Sequence, residues 1–478
     1  MHNPVLHHKN NEPTGRKSIP GRMTMNKEHT TAQNMQAVNT EGIKFQRYPA
    51  YKDSGVEWLG EIPAHWGVEK LKFLSEMIVS NVDKHEKPLE IPVKLCNYVD
   101  VYKNDFITKE IDFMSATASK EEIDKFKIKI GDVLITKDSE DWKDIGVPSL
   151  VKHEAENLIC GYHLAILRPG KEIIGSFLHR AMQSISAKTQ LSINANGITR
   201  YGISQRAILS ILLTIPPLPE QTRIATFLGR KTALIDKAIA QKERLIGLLQ
   251  ERRQVLIDRV ITSGLNQNVP MKNSGVEWIG DIPAHWEVRR SKFLFTQRKE
   301  RARKNDVQLS ATQAYGVIPQ DEYERKIGRR VVKIQFHLDK RKHVEVDDFV
   351  ISMRSFQGGL ERAWSSGCIR SSYVVLRPLE EIDPGFYSYL FKSSRYIREL
   401  QSTASFIRDG QDLNFDNFSK VDLFVLPLEE QHQIATYLDN QLKVTEKATS
   451  QQQLQIEKLK EYKATLIDSA VTGKIKVN

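Results

Sequence analysis

The feature that most constrains this chain is that it is written twice. Residues 54–66 read SGVEWLGEIPAHW and residues 274–286 read SGVEWIGDIPAHW, with eleven of thirteen positions identical at an offset of 220. A second block recurs at an offset of 210. Pro217-Leu218-Pro219-Glu220-Gln221 matches Pro427-Leu428-Glu429-Glu430-Gln431, Ile224-Ala225-Thr226 matches Ile434-Ala435-Thr436, and Leu256-Ile257-Asp258 matches Leu466-Ile467-Asp468. A repeat sets the architecture before local propensity does, because each copy is one structural unit. Between the blocks the halves agree only in outline. Leu167-Arg168-Pro169 echoes Leu376-Arg377-Pro378, and Asp132-Val133-Leu134-Ile135 echoes Asp348-Phe349-Val350-Ile351. Two similar frames with divergent middles imply two related tasks on two different targets.

The late block is helical in both copies. Ile224, Leu228, Lys231, Ile235, Ala238, Lys242, Leu245, Leu249, Arg252 and Leu256 step by three and four, a heptad seam with basic interruptions. Ile434, Leu438, Gln441, Thr445, Ala448, Gln452, Gln455, Leu459, Tyr462 and Leu466 repeat it with a more polar centre. Pro216, Pro217 and Pro219 precede the first segment and Gly264 closes it, which predicts a helix over 221–262. It would be about 60 Å long at the α-helical rise. Neither seam is apolar enough to stand alone, so the two helices are expected to pair antiparallel with a domain at each end. The middles read as mixed α/β. Strands are expected at 129–136, 208–215, 373–377 and 421–426, and helices at 177–186 and 385–400. The fold class expected is α+β: two mixed α/β domains separated by two long antiparallel helices forming a coiled coil, with a pseudo-twofold internal repeat. The expected boundaries are a disordered or mis-started leader 1–44, a first domain 45–216, a first long helix 217–264, a second domain 265–426 and a second long helix 427–478.

Composition excludes several classes. The 478 residues are 40% hydrophobic and 27% charged, as in a globular protein. No stretch approaches the roughly 18 consecutive apolar residues of a membrane span. Cys96, Cys160 and Cys368 are scattered, which fits a reducing, cytoplasmic setting. There is no GxxxxGK[ST] phosphate loop, no GxGxxG after a strand, no Asn-Pro-Pro-aromatic tetrapeptide, no HExxH and no GxSxG. His65 and His285 recur in Pro-Ala-His-Trp and are expected to pack or hydrogen-bond in a turn. Trp58, Trp66, Trp278 and Trp286 are expected to anchor cores. No catalytic residue, metal site or cofactor is expected in this chain.

The formal net charge of +11 points to a polyanion. Residues 287–330 hold twelve Lys/Arg against six Asp/Glu. Arg298, Lys299, Arg301, Arg303 and Lys304 form one cluster; Arg325, Lys326, Arg329 and Arg330 form another. Such clusters can neutralise phosphates, although a solvated basic face has the same composition. Base reading needs bidentate donors and amides on loops. The candidates follow expected strands: Lys137, Ser139, Asn194, Asn196, Arg200 and Tyr201 in the first half. In the second half they are Arg354, Ser355, Gln357, Arg370, Ser372, Arg408 and Gln411, while Arg298, Arg301 and Arg303 of the first basic cluster are candidates for phosphate contact. Gly358-Gly359 would allow close backbone approach to DNA.

With these residues in hand, the sequence resembles the specificity subunits of type I restriction–modification enzymes. Tyr51-Lys52-Asp53-Ser54-Gly55-Val56-Glu57-Trp58-Leu59-Gly60-Glu61-Ile62-Pro63 resembles that family's opening. The Pro-Leu-Pro-Glu-Gln and Ile-Ala blocks at 217–225 and 427–435 resemble the start of its conserved helices. Gly131-Asp132-Val133-Leu134-Ile135 resembles a strand of its target recognition domains; the second half departs with Asp347-Asp348. The resemblance implies two recognition domains, each reading half of an asymmetric bipartite site in double-stranded DNA. It implies helices that set the spacer and dock two methyltransferase subunits, and restriction/translocase subunits that join the complex. S-adenosylmethionine, ATP and Mg2+ would belong to those partners. The alternative is the recognition subunit of a related bipartite system with a fused methyltransferase–nuclease partner.

Overall fold

The structure, a computed structural model, describes residues 45–332, 340–403 and 413–478. Its two longest elements are the helices Leu218–Ser263 and Leu428–Val471. Each starts after a proline whose fixed φ suits a helix entry, and carries glutamate in its first turn, where the helix dipole favours negative charge. They run in opposite directions: Lys242 Nζ donates to Gln452 Oε1 at 3.2 Å, and Lys463 Nζ reaches both oxygens of Asp236 at 2.8 Å.

Their apolar contacts lie at the ends. Ile224, Leu228 and Ile235 join Leu466, Ile467 and Val471 in one core; Ile257, Val260 and Ile261 join Ile434, Leu438 and Leu442 in the other. Midway the seam is mostly polar, with Lys242 held by Gln452 and Gln455 and Ile456 buried beside them. The expected heptad positions drift off the contact: Leu245 is 42% exposed, and Ile257 rather than Leu256 is buried. A straight helix of 3.6 residues per turn slips by about 20° per heptad, so a 3.5-residue seam read from one end misses at the other.

Each copy of the first repeated motif folds into a hairpin of matching register, Tyr51–Asp53 with Glu61–Pro63 and Met271–Asn273 with Asp281–Pro283. Trp66 and Trp286 at their ends are fully buried, but Trp58 is 51% exposed and so is no core anchor. His65 Nε2 lies 2.8 Å from Glu220 Oε2, and His285 Nε2 lies 2.8 Å from Glu430 Oε2. The next residue of each helix is also used twice. Gln221 accepts from Ile174 N–H and donates to the Pro216 carbonyl; Gln431 accepts from Asp383 N–H and donates to the Leu426 carbonyl. The repeated Glu-Gln thus fastens each long helix to its hairpin and neighbouring loops.

The first half contains a five-stranded sheet in the order Ser75–Val79, Leu164–Pro169, Val133–Thr136, Pro148–Val151, Phe106–Ile107. The second contains a four-stranded sheet in the order Phe295–Gln297, Val374–Pro378, Phe349–Ile351, Glu361–Arg362. Before the central strand of each sheet an aspartate is buried against an arginine of a neighbouring segment. Asp132 accepts from Arg168 Nε and Nη2, and Asp348 from Arg298 Nε and Nη2. Gly131 (φ +92°) precedes the first; Asp347 (φ +69°) takes its place in the second and is the one positive-φ non-glycine among the described residues. Its carboxylate accepts from Arg362 Nε at 2.7 Å.

Three expected elements divide differently. The strand expected over 208–215 is a helix, Gln205–Ser210, followed by a strand, Leu212–Ile215, because Ser204 caps the turn. The helix expected over 177–186 breaks at Ser184, whose hydroxyl accepts from Ala187 N–H. The one expected over 385–400 breaks at Ser393, which caps Tyr396 N–H in the same way. No helix among the described residues is long and apolar enough to cross a membrane.

Candidate nucleic-acid interface

In the first sheet Thr136 pairs with Leu164, and in the second Ile351 pairs with Val374. The segments that follow one strand and precede the other therefore leave each sheet at the same edge. That edge carries all six candidates of the first half and, in the second half, Arg354, Ser355, Gln357, Arg370 and Ser372.

In the first half it gathers all six. Asp138–Ser139 pairs with Tyr201–Gly202, and the Lys137 carbonyl accepts from Ile203 N–H. Asn196 and Gly202 exchange both backbone hydrogen bonds, at 2.9 and 2.8 Å, closing a tight loop over 197–201. Gly197 sits at φ +149° where a Cβ would overlap the Arg200 carbonyl oxygen, so only glycine fits that turn. Asn194 and Asn196 are exposed, with side chains donating to the Gln190 and Asn194 carbonyls. Tyr201 is half-buried. Lys137 is partly covered, and that burial pulls its amine below the ordinary lysine range. Ser139 is buried, and its hydroxyl accepts from Asp141 N–H, a framework task.

Sequence reasoning missed the surroundings of this edge. Asp138 holds Arg200 and His163, each at 2.6 Å. Tyr162 lies on His163 with ring centroids 3.7 Å apart, and Tyr98 stacks on Tyr102 at 5.5 Å. Tyr102, Tyr162 and Trp142 stay largely exposed. Aromatic faces beside cations suit nucleic-acid surfaces, but these residues share no spacing that would flag them.

In the second half Arg354 and Gln357 are exposed at the short helix Ser355–Gly358. Arg370 and Ser372 are exposed between the strands Gly367–Ile369 and Val374–Pro378. Ser355 is buried, and its hydroxyl accepts from Ser352 N–H. The glycine pair serves the protein's own packing: Gly359 has φ +77°, and a Cβ there would overlap the Phe391 carbonyl oxygen. The close backbone approach is thus made internally. Arg408 and Gln411 lie outside the described residues.

The basic cluster is largely spoken for. Arg298 is bound to the buried Asp348 and to Glu300, so its guanidinium belongs to the framework. Arg303 pairs with Glu300 and Glu345. The His343 imidazole and the Ser366 hydroxyl hydrogen-bond to Glu345, and hold its carboxyl down at about 2. Arg301 is exposed and has no ion pair among the described residues.

The family model described as the type I restriction modification DNA specificity domain matches residues 80–245. The chain is 22% identical over 431 residues to a Methanocaldococcus jannaschii protein assigned by inference as the type I restriction enzyme MjaX specificity subunit. That alignment covers 88% of this chain and 96% of the relative. It is 23% identical over 214 residues to the type I restriction enzyme EcoKI specificity subunit of Escherichia coli, covering 44% of this chain and 45% of that one. A solved structure from work on complex assembly and conformational transition of the type I R-M system superimposes with a TM-score of 0.60 at 15% identity. It covers 86% of this chain and 98% of that chain, which establishes a shared fold.

Proposed function

We propose that this chain, a member of the family of type I restriction–modification specificity subunits, selects the DNA on which partner subunits act and performs no catalysis itself. Residues 45–216 and 265–426 are the two target recognition domains, each reading one half of an asymmetric bipartite site. Residues 217–264 and 427–478 are the long helices, an antiparallel coiled coil with its apolar contacts at the two ends, related by the pseudo-twofold repeat. They set the unread spacer and dock two methyltransferase subunits, to which restriction/translocase subunits add. S-adenosylmethionine, ATP and Mg2+ belong to those partners, and the complex works in the cytoplasm.

The observation that carries this reading is the pair of equivalent sheet edges. Each leaves its sheet at the same place, after the central strand and before its antiparallel neighbour, and each bears different donors. A duplicated frame with unlike edges is what reading two unlike half-sites requires. The relatives above carry the name of type I specificity subunits, and no observation favours a fused methyltransferase–nuclease partner. The test is to combine the purified chain with its methyltransferase subunit and map methylated positions by sequencing. One bipartite motif is the expected result; equal methylation or binding of every duplex would refute the reading.

A further inference from the structure

Among the described residues, Arg200 is held unlike any other exposed arginine at either sheet edge. Its side chain is 56% exposed, yet Nε and Nη2 both donate to Asp138 Oδ1, at 3.2 and 2.6 Å. Asp138 is fixed in turn: its Oδ2 lies 2.6 Å from His163 Nδ1, and the Tyr162 ring packs at a tilt against that imidazole. Nη2 also lies 3.5 Å from His163 Nδ1, at the limit of a bond. Both carboxylate oxygens of Asp138 are therefore engaged, so this residue is a brace rather than a reader of base amino groups. Among the described residues no hydrogen bond engages Nη1 at the outer end of the fork.

The loop that carries Arg200 is also pre-set. Asn196 and Gly202 close it by two backbone hydrogen bonds, and Gly197 makes its turn. At its tip stands Ile198, an aliphatic side chain 92% exposed. Exposing a large apolar group at the tip of an ordered loop has no folding benefit, but it suits a surface that meets base edges and thymine methyls. A phosphate contact would need neither the brace nor the apolar tip. Guanine offers O6 and N7 side by side in the major groove, and a guanidinium fixed in plane matches both at once.

We infer that Arg200, oriented by Asp138, is a specificity-determining residue that reads a guanine in the half-site bound by the first recognition domain. The inference rests on the DNA-specificity reading above. Asp138 and His163 are positioning residues. The brace lowers the entropy lost when the arginine binds, so discrimination at that base pair rises.

The test uses the full chain assembled with its methyltransferase subunit. Wild type, Arg200→Ala, Arg200→Lys and Asp138→Asn are compared by methylation mapping and by binding to duplexes randomised at each half-site position. Arg200 is exposed, so the variants are expected to assemble normally, which gel filtration checks. In Arg200→Ala and Arg200→Lys, preference for guanine at one position of one half-site should fall by about 5- to 150-fold. Asp138→Asn should give a smaller loss at the same position. The other half-site, read by the second domain, serves as an internal control and should not change. Uniform weakening across all sequences, a shallower salt dependence with intact preference, or no change would each overturn the inference. A wild-type complex with no bipartite motif would instead overturn the underlying reading.

Discussion

Inserting seven residues after Lys242 and seven after Gln452 should lengthen the recognised spacer and leave both half-sites unchanged. These two positions face each other across the helix pair, with Lys242 Nζ 3.2 Å from Gln452 Oε1. Matched insertions therefore add a paired segment, whereas an insertion in one helix alone leaves a bulge with no partner. Seven residues add about 10 Å of axial rise. They turn the helix to within about 20° of two full turns, so each domain keeps its side of the pair. At roughly 3.4 Å per base pair, 10 Å corresponds to about three base pairs. Three base pairs also rotate the second half-site by about a third of the duplex's 10–10.5-bp turn, so affinity should fall even at the new spacing. Methylation mapping of cells or reconstituted complexes reads the outcome directly. A folded, assembled double insertion that still methylates the original spacing would refute the view that helix length sets it.

Gly359→Ala should destabilise the second domain, because φ +77° alone costs a non-glycine residue about 1–3 kcal/mol before the overlap with the Phe391 carbonyl is counted; a lower Tm with unchanged first-domain folding is the expected result. Glu345 has its carboxyl held down at about 2 from an ordinary 4.5, so its contribution is present above the ordinary value and is lost as pH falls from about 4.5 to about 2. Glu345→Gln should therefore flatten that part of the acid-unfolding profile, measured by circular dichroism. Arg301→Ala should weaken binding to all duplexes alike and reduce the salt slope by about 1. Arg298→Ala should instead lower stability by up to about 3–5 kcal/mol, because it strands the buried Asp348 carboxylate, and a melt separates the two variants.

What was legible in the sequence follows from how far apart the cooperating residues lie. The long helices could be read because their signals are local: prolines at the entry, none beyond the first turn, glycine after the first. The pairing of Glu220 with His65 and of Glu430 with His285 could not, although all four residues recur in the repeat. Those partners are separated by 155 and 145 residues, and only the folded chain brings them together. The replacement of Gly131 by Asp347 was visible as a departure, and the structure shows why it is tolerated. Aspartate enters the left-handed region more readily than most residues, and here an arginine fixes its carboxylate. At the sheet edges, residue type marked Arg200 and Arg354 as candidates but could not separate them from Ser139, Arg298 and Ser355. Burial and ion pairing decide that, and neither is written in a single chain of letters. The Asp138–Arg200 brace spans 62 residues and was invisible for the same reason.

The distribution of contacts along the helix pair gives a physical reason why reading and spacing can change independently. In the first long helix the fully buried residues stop at Ile235 and resume at Ile257. The intervening stretch, about 30 Å long, meets its partner through polar contacts such as Lys242 with Gln452 and Gln455. Each end of the pair is part of a domain core and so cannot be altered without repacking that domain. The middle carries a single fully buried apolar side chain, Ile456, rather than a domain core, so its length is limited by the stiffness of the helices and by a register that this residue and the polar pairs fix. A change in length there shifts one domain relative to the other without touching either sheet edge. A change at a sheet edge alters one half-site without touching the helices. The buried Asp132–Arg168 and Asp348–Arg298 contacts lie at the other end of the central strands, so they steady each sheet without taking part in its reading edge. On the proposed function, spacer and half-sites are set by different parts of the chain, and variants at the middle of the helix pair should add to variants at a sheet edge with little coupling.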